Sequence, residues 1–381
     1  MQKRLDMGKN PFLAKGYASP ALFCDREKET EILLSNIQNG LDTTLISPRK
    51  LGKTGLILHT FYKISEQKLP FTCIYVDIFA TLSLKDFIKT LSEAILAEFP
   101  EKTTIGGKFM SLLKGYRPVI SYDPTNGMPQ VEFNFSSPTE KEYTLKGLFT
   151  FLNAQKQHVV LAIDEFQQIT EYPETNIEAL LRTYTQQMHN ISIIYCGSKK
   201  SIMAQIFSDA ARPFYSSTRQ LSLGKIDADK YAAFIREKFR PATVDDEAMD
   251  YILDWTRRHT FYTQSLCNEI FAMRPKVVTI AVARKASREI LEKETSNFLQ
   301  IRDLITDQQW RLLIAVAKEQ SVQSVTSADF LAKYQIGSAT NARRNLESLT
   351  DKELLLETIT PTERKYSVYN VFLSRWLEVT Y

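Results

Sequence analysis

No stretch of the 381 residues approaches the roughly 18 uninterrupted apolar residues that a membrane-spanning helix requires, and the opening MQKRLDMGKNPF lacks the apolar core of a secretory signal. A soluble, cytoplasmic protein without membrane contact is therefore expected. Cysteine is scarce. Cys24, Cys73, Cys196 and Cys267 lie far apart with no C-x-x-C spacing, which argues against a disulfide framework or a thiolate zinc cluster and for reduced, mostly buried thiols. Charge of neither sign dominates: 48 Lys and Arg against 44 Asp and Glu leave a net +4, which is compatible with nucleic acid but does not demand it. With 44% hydrophobic and 24% charged residues, the composition is that of an ordinary globular chain long enough for two or three domains.

One stretch carries recognisable chemistry. Thr43 to Thr60, TTLISPRKLGKTGLILHT, is a β-branched apolar run, a short polar loop and an apolar-periodic segment opening at Gly-Lys-Thr. Strand, anion loop and helix in that order read as a P-loop. Backbone N–H groups and the positive end of a helix can surround a phosphate only where no side chain blocks the approach, and Gly52 supplies that opening. Ser47, Pro48, Arg49, Lys50, Leu51, Gly52, Lys53, Thr54 and Gly55 are the expected nucleotide-binding residues. Lys53 would reach the β- and γ-phosphates, and the Thr54 hydroxyl would ligate a Mg2+ ion bridging the same oxygens. The pattern G-x-x-x-x-G-K-[ST] lacks its first glycine, since Ser47 stands there, and Pro48 removes one amide donor.

A second stretch supports the first. Val159 to Ile163 form a continuous apolar run, as in a central parallel strand buried on both faces, and the run ends in Asp164-Glu165. Ligands of open α/β sheets bind at the carboxyl ends of such strands. Asp164 is expected to hold Mg2+ through its water shell, and Glu165 to act as general base on the attacking water. A similar buried strand, ISIIYCG, ends at Ser198, whose hydroxyl is placed to touch that water or the γ-phosphate. Downstream, two roles are open to Arg212, a finger on the γ-phosphate or a salt bridge that holds its loop. Asp77, near the end of FTCIYVD, faces the active site or serves a turn.

Around these lie supporting elements. Asp25 is expected to cap a helix carrying Ile32, Leu33 and Ile37 that stops at Gly40, and Ser83 to Phe99 reads as an amphipathic helix. Residues 101–140 interrupt the α/β rhythm with Gly-Gly, DPTNGMP and two alternating stretches, as in a β-hairpin closed around Asn126-Gly127. Its aromatics, Tyr116, Tyr122, Phe133 and Phe135, pack on their own domain or face a partner.

Phe23 to Glu29 (FCDREKE), Ser47 to Thr54 (SPRKLGKT), Ala162 to Phe166 (AIDEF), Cys196 to Met203 (CGSKKSIM) and Arg212 to Tyr215 (RPFY) resemble the archaeal-type ATPase family of the AAA+/STAND group. The resemblance covers nearly the whole chain. It implies a P-loop NTPase with a parallel five-stranded sheet in the order 5-1-4-3-2, a helical lid and a C-terminal winged helix, and ATP rather than GTP as nucleotide. His259 to Phe271 looks like the family's lid motif without its usual glycine-proline character, with Arg258 in the neighbourhood of a lid-borne sensor. Tyr366 to Leu377 resembles the terminal strand and helix, with Asn370 where an aspartate is common. The implied domains are residues 1–226 for the ATPase core including the insertion, 227–297 for the lid and 298–381 for the winged helix.

The C-terminal region reads as a winged helix on its own terms, three capped helical patterns followed by LLLETI and KYSVYN as a hairpin. Its third helix offers Asn341, Arg343 and Arg344, the positions that would read DNA. Residues 301–381 nevertheless hold ten basic and ten acidic side chains, and a neutral winged helix lacks the excess cation that supplies non-specific DNA affinity. The expected function is an ATP-binding, ATP-hydrolysing switch coupling ATP or ADP occupancy to lid and winged-helix rearrangement, with a protein partner favoured. A DNA-binding ATPase like the origin-recognition proteins, or a nucleotide-occupied scaffold with little turnover, is the alternative, and the oligomeric state is open.

Overall fold

The computed structural model describes residues 10–115, 118–360 and 362–381. They form two compact units, one of residues 16–225 and one of residues 226–381 joined by 10–15.

In the first unit, α1 (Glu27–Gln38), β1 (Thr43–Ile46), α2 (Lys53–Glu66), β2 (Phe71–Asp77), α3 (Leu84–Glu98) and α4 (Thr104–Lys114) lead to a hairpin of β3 (Val119–Tyr122) and β4 (Pro129–Glu132). Then come α5 (Pro138–Asn153), β5 (His158–Asp164), a 3-10 turn (Phe166–Glu171), α6 (Ile177–Thr185), β6 (Ile191–Gly197), α7 (Lys200–Ser208) and β7 (Arg219–Ser222). Five strands make a parallel sheet in the order β2-β5-β6-β1-β7. The numerals differ from the expected 5-1-4-3-2 because the inserted hairpin takes two of them. Numbered without β3 and β4, the same strands read 5-1-4-3-2 from the β7 edge.

Period-two alternation sends the central strands' side chains to both faces, so each face needs a covering layer. On one face Val159, Leu161, Ile163, Ile191, Ile193 and Tyr195 pack with Phe87 and Leu91 of α3 and Leu145, Leu148 and Phe149 of α5. On the other, Val160, Ala162, Ile194, Cys196 and Leu45 pack with Leu33 and Ile37 of α1 and Leu56, Ile57 and Ile64 of α2. The anion loop and the acidic pair are thereby held by two buried layers.

Two local expectations are corrected. Asp25 does not cap α1: the helix begins at Glu27, and the capping position belongs to Arg26, whose side chain does not cap. Both residues have left-handed backbones, φ 58° and 78°. Arg26 is instead buried, donating to Glu29 Oε1 at 2.9 Å and to the Gly224 carbonyl at 2.7 Å. The insertion, expected as a hairpin, also contains helix α4 across its Gly-Gly pair. A Cβ on Gly106 would lie 2.1 Å from the Pro100 carbonyl oxygen, so that glycine permits a close approach rather than breaking the helix. The hairpin packs on its own unit, with Val131 and Phe133 buried and the Val131 amide donating to Glu93 Oε1 of α3 at 2.9 Å. Phe133 and Phe135 stack at 5.2 Å and Tyr122 is exposed; Tyr116 lies outside the described residues.

The second unit contains α8 (Ala228–Phe239), β8 (Thr243–Val244), α9 (Asp246–Trp255), α10 (Thr260–Ala272), β9 (Val277–Val278) and the long α11 (Ile280–Asp303). It continues with α12 (Asp307–Lys318), α13 (Ala328–Tyr334), α14 (Ala339–Asp351), β10 (Leu355–Ile359), β11 (Arg364–Val368) and α15 (Val371–Thr380). Three helices and the antiparallel β10–β11 pair make the winged helix, opened by a capping box of Thr306 and Gln309. Asn370 starts α15, its Oδ1 accepting from the amides of Phe372 and Leu373 at 3.0 and 3.2 Å. Helix α11 runs without a break through 297 and 298, so the boundary expected there falls inside a helix. Residues 10–15 are tied to α10: Asn10 Nδ2 donates to the Asn268 carbonyl at 3.1 Å, and Asn268 Nδ2 to the Phe12 carbonyl at 2.7 Å. None of the four cysteines forms a disulfide, and no helix among the described residues is long and apolar enough to cross a membrane.

Candidate nucleotide site

The loop of residues 47–52 joins β1 to α2. Left-handed backbone falls at Lys50 (φ 64°) and Gly52 (φ 103°), and the space around Gly52 is open. Ser47 is not among the positive-φ residues, so the freedom of the missing first glycine is not required in this loop. Its amide donates to the Gly197 carbonyl of β6 at 3.4 Å. Leu51 is buried. Lys53, the first residue of α2, is buried, and its Nζ donates back across the loop to the carbonyls of Ser47 (3.0 Å) and Pro48 (3.5 Å). An ammonium held by carbonyls at the start of a helix, beside open backbone, suits a bound phosphate. In the same first turn of α2, Gly55 gives Phe23 its place, since a Cβ there would lie 3.2 Å from the ring. Phe23 stacks on His59 at 4.4 Å.

The acidic strand faces this helix. Asp164 is buried, and its Oδ2 accepts from Thr54 Oγ1 at 2.6 Å and from Tyr75 Oη at 2.8 Å, while Oδ1 accepts from the Glu165 amide at 2.9 Å. Burial and the neighbouring Asp164 raise the Tyr75 hydroxyl and push the Cys196 thiol well above its usual value, so both stay protonated at neutral pH. Asp77 pairs in register with Asp164. Burial lifts its carboxyl, opposed by the Phe79 amide and aided by Asp164 and Glu165. It is therefore near the acidic pair and also serves a turn, its Oδ1 accepting from Phe79 N at 2.9 Å.

Glu165 has a left-handed backbone (φ 56°) at the start of the 3-10 turn. Its Oε2 accepts from Ser198 Oγ at 2.7 Å and from Gln167 Nε2. Lys53 and Thr54 are thus adjacent on α2, Thr54 is joined to Asp164, and Ser198 is joined to Glu165. Arg212 goes elsewhere: its Nη2 pairs with Glu178 Oε1 at 2.6 Å, the loop-holding role. In the other unit, Arg258 Nη1 donates to the Ile226 carbonyl at 3.5 Å. Two site residues escaped sequence reasoning, Tyr75 and Gln167. Alternation from Asp77 puts Tyr75 on the Asp164 face, a faint signal because an aromatic in a buried strand reads first as core.

The donor set suits a hard cation. Thr54 and Asp164 offer oxygens only, and among the described residues no group of three or more His, Cys, Asp or Glu could hold a metal alone. Proteins in general hold Mg2+ through one or two side-chain oxygens, with water and substrate phosphates completing its shell.

Comparison with known proteins agrees with the fold. A Walker-type ATPase of Pyrococcus abyssi is similar at 16% identity and TM-score 0.65, covering 97% of this chain and 100% of that one. The ORC2 protein of Aeropyrum pernix, in ADPNP–ADP complexes, is similar at 14% identity and TM-score 0.59 over 97% of this chain and 96% of that one. The ORC1 protein of Aeropyrum pernix in complex with DNA follows at 12% identity and TM-score 0.50, covering 95% and 94%. No curated protein matches. The family model described as "Probable winged helix domain" matches residues 296–379. The model described as "ATPase domain predominantly from Archaea" matches residues 23–257, more than half of the chain, and the chain belongs to that family.

Proposed function

We propose that the protein binds ATP with Mg2+ at the β1–α2 loop, hydrolyses it, and couples nucleotide state to rearrangement of the lid and winged helix. The observation that carries this reading is the 2.6 Å hydrogen bond from Thr54 Oγ1 to Asp164 Oδ2. It brings the helix of the anion loop and the end of the acidic strand into one hydroxyl–carboxylate pair. Lys53 exchanges its carbonyl partners for the β- and γ-phosphates, whose negative charge makes the stronger hydrogen bonds. Thr54 and Asp164 would hold Mg2+, which when bound would neutralise charge on the phosphate oxygens. Glu165 accepts a proton from the attacking water as the water oxygen bonds to the γ-phosphorus and the bond to the β–γ bridging oxygen breaks, leaving ADP and phosphate. Ser198 fixes the Glu165 carboxylate. Arg212 acts through its loop. The even charge of the winged helix favours a protein partner for its third helix, and steeply salt-dependent duplex binding by the full chain would speak against that.

Two variants test the site. Lys53→Ala removes charge-assisted hydrogen bonds worth roughly 1.5 to 3 kcal/mol each, so calorimetry should find ATP binding lost in the folded protein. Unchanged affinity would end the assignment. Glu165→Gln keeps the shape and loses the base, so ATP stays bound while turnover drops by about 10² to 10⁴. Wild-type turnover in that variant would exclude Glu165 as base.

A further inference from the structure

The 3-10 turn after β5 carries a buried side chain that this chemistry leaves unused. Gln167 sits two residues beyond Glu165, and its Nε2 donates to Glu165 Oε2, the same oxygen that Ser198 Oγ reaches at 2.7 Å. The other end of the carboxamide, Oε1, is buried with no hydrogen-bond partner among the described residues. An orphaned buried acceptor costs about 1 to 3 kcal/mol, so the side chain is not placed for its own satisfaction. Turning the amide over would set its oxygen against the carboxylate, which repulsion forbids. Room for it comes from β6: a Cβ on Gly197 would lie 2.6 Å from Gln167 Oε1 and 2.4 Å from Met203 Sδ. No positive φ explains that glycine, so space is the reason for it.

We propose that Gln167 is a positioning residue for Glu165. With Ser198 it holds the carboxylate by Oε2 from one side and leaves Oε1 to face the attacking water. Two donors on one oxygen fix the carboxylate plane, which a single hydroxyl would leave free to rotate, and a base must be held in line with its proton to act. This inference rests on the reading of Glu165 as the general base.

The test uses the full chain with ATP and Mg2+. Gln167→Leu keeps the side chain's size and loses the donor, and it should lower kcat roughly tenfold while KM and calorimetric ATP affinity stay as in the wild type. Measured by single turnover in the Glu165→Gln background, the same substitution should have no further effect, because Gln167 acts through that carboxylate. Gln167→Asn, too short to reach Glu165, should repeat the loss and keeps the test open if leucine disturbs the turn. Wild-type kcat in either folded variant, a loss that multiplies with that of Glu165→Gln, or a parallel loss of ATP affinity would overturn the proposal; so would failure of both variants to fold, which would make Gln167 a packing residue. Wild-type turnover in Glu165→Gln alone would instead bring down the reading of the base, before any Gln167 variant is examined.

Discussion

At the residue scale, Oδ2 of Asp164 is shared by two hydroxyls, Thr54 at 2.6 Å and Tyr75 at 2.8 Å. If Thr54 turns to the ion, Tyr75 is left to orient the carboxylate. A residue in that position commonly contributes 10- to 100-fold to metal affinity. Tyr75→Phe should therefore raise the Mg2+ concentration needed for half-maximal ATP binding about tenfold or more, read by calorimetric titration. ATP binding measured without the ion should be unchanged. An unaltered Mg2+ dependence would make Tyr75 a core residue that happens to touch the acid. The places of Lys53, Thr54, Asp164, Glu165 and Ser198 at strand ends and at the start of α2 were legible in the sequence because each follows a recognisable strand end or loop pattern. Tyr75 and Gln167 were not, since their roles depend on which strands become neighbours and on the absence of a Cβ at Gly197. The salt bridge of Arg212 likewise depends on a partner in another element, Glu178 of α6.

At the scale of elements, Asp42 just before β1 links three strands. Its Oδ1 accepts from the Ile193 amide of β6 at 2.8 Å, and its carbonyl accepts from the Arg219 amide of β7 at 2.8 Å. Burial raises its carboxyl to about 6, against the lowering effects of the Ile193 amide and Arg182. A folded-state pKa above the unfolded value means that the native state binds more protons between about pH 4 and 6. This residue's contribution to stability is therefore greatest below pH 4 and is lost as pH rises through 6. Asp42→Asn keeps the acceptor and removes the charge. It should stabilise the protein at pH 7.5 by up to about 3 kcal/mol, with the gain shrinking to nothing near pH 4. A gain that does not depend on pH in thermal melts would contradict this. The sheet was legible because β5 and β6 are continuous apolar runs, buried on both faces. Helix α4 was not: Gly106-Gly107 reads as a break until the Pro100 carbonyl is seen against the helix.

At the scale of the molecule, the winged helix was legible as a pattern of its own, but not its union with the helices before it, because α11 continues through residues 297 and 298 and α15 packs back against α9 and α11. Arg375, buried on α15, donates from Nε to the Trp255 carbonyl and from Nη2 to the Asp254 carbonyl, both at 3.0 Å, closing the end of α9. Arg257 donates to Ser374 Oγ at 2.7 Å, and Glu378 pairs with both guanidiniums. Phe372 lies among Trp255, Phe261 and Tyr262, and Trp376 meets Phe298 of α11 at 5.5 Å. Releasing α15 would expose Phe372, Leu373, Trp376 and Leu377, at roughly 1.5 to 3 kcal/mol each or about 6 to 12 kcal/mol together. It would also unpair the buried Arg375. Exchange of ADP for ATP shifts an equilibrium only by its differential affinity, typically about 1 to 3 kcal/mol, so it cannot drive that release. The proposed rearrangement must therefore carry lid and winged helix as one body. Amides of Val371 to Thr380 should exchange equally slowly with deuterium in the ATP-bound Glu165→Gln variant and the ADP-bound wild type. Loss of protection in α15 with either nucleotide would show the two parting, and the seam around Arg375 and Glu378 would then be the moving element of the switch.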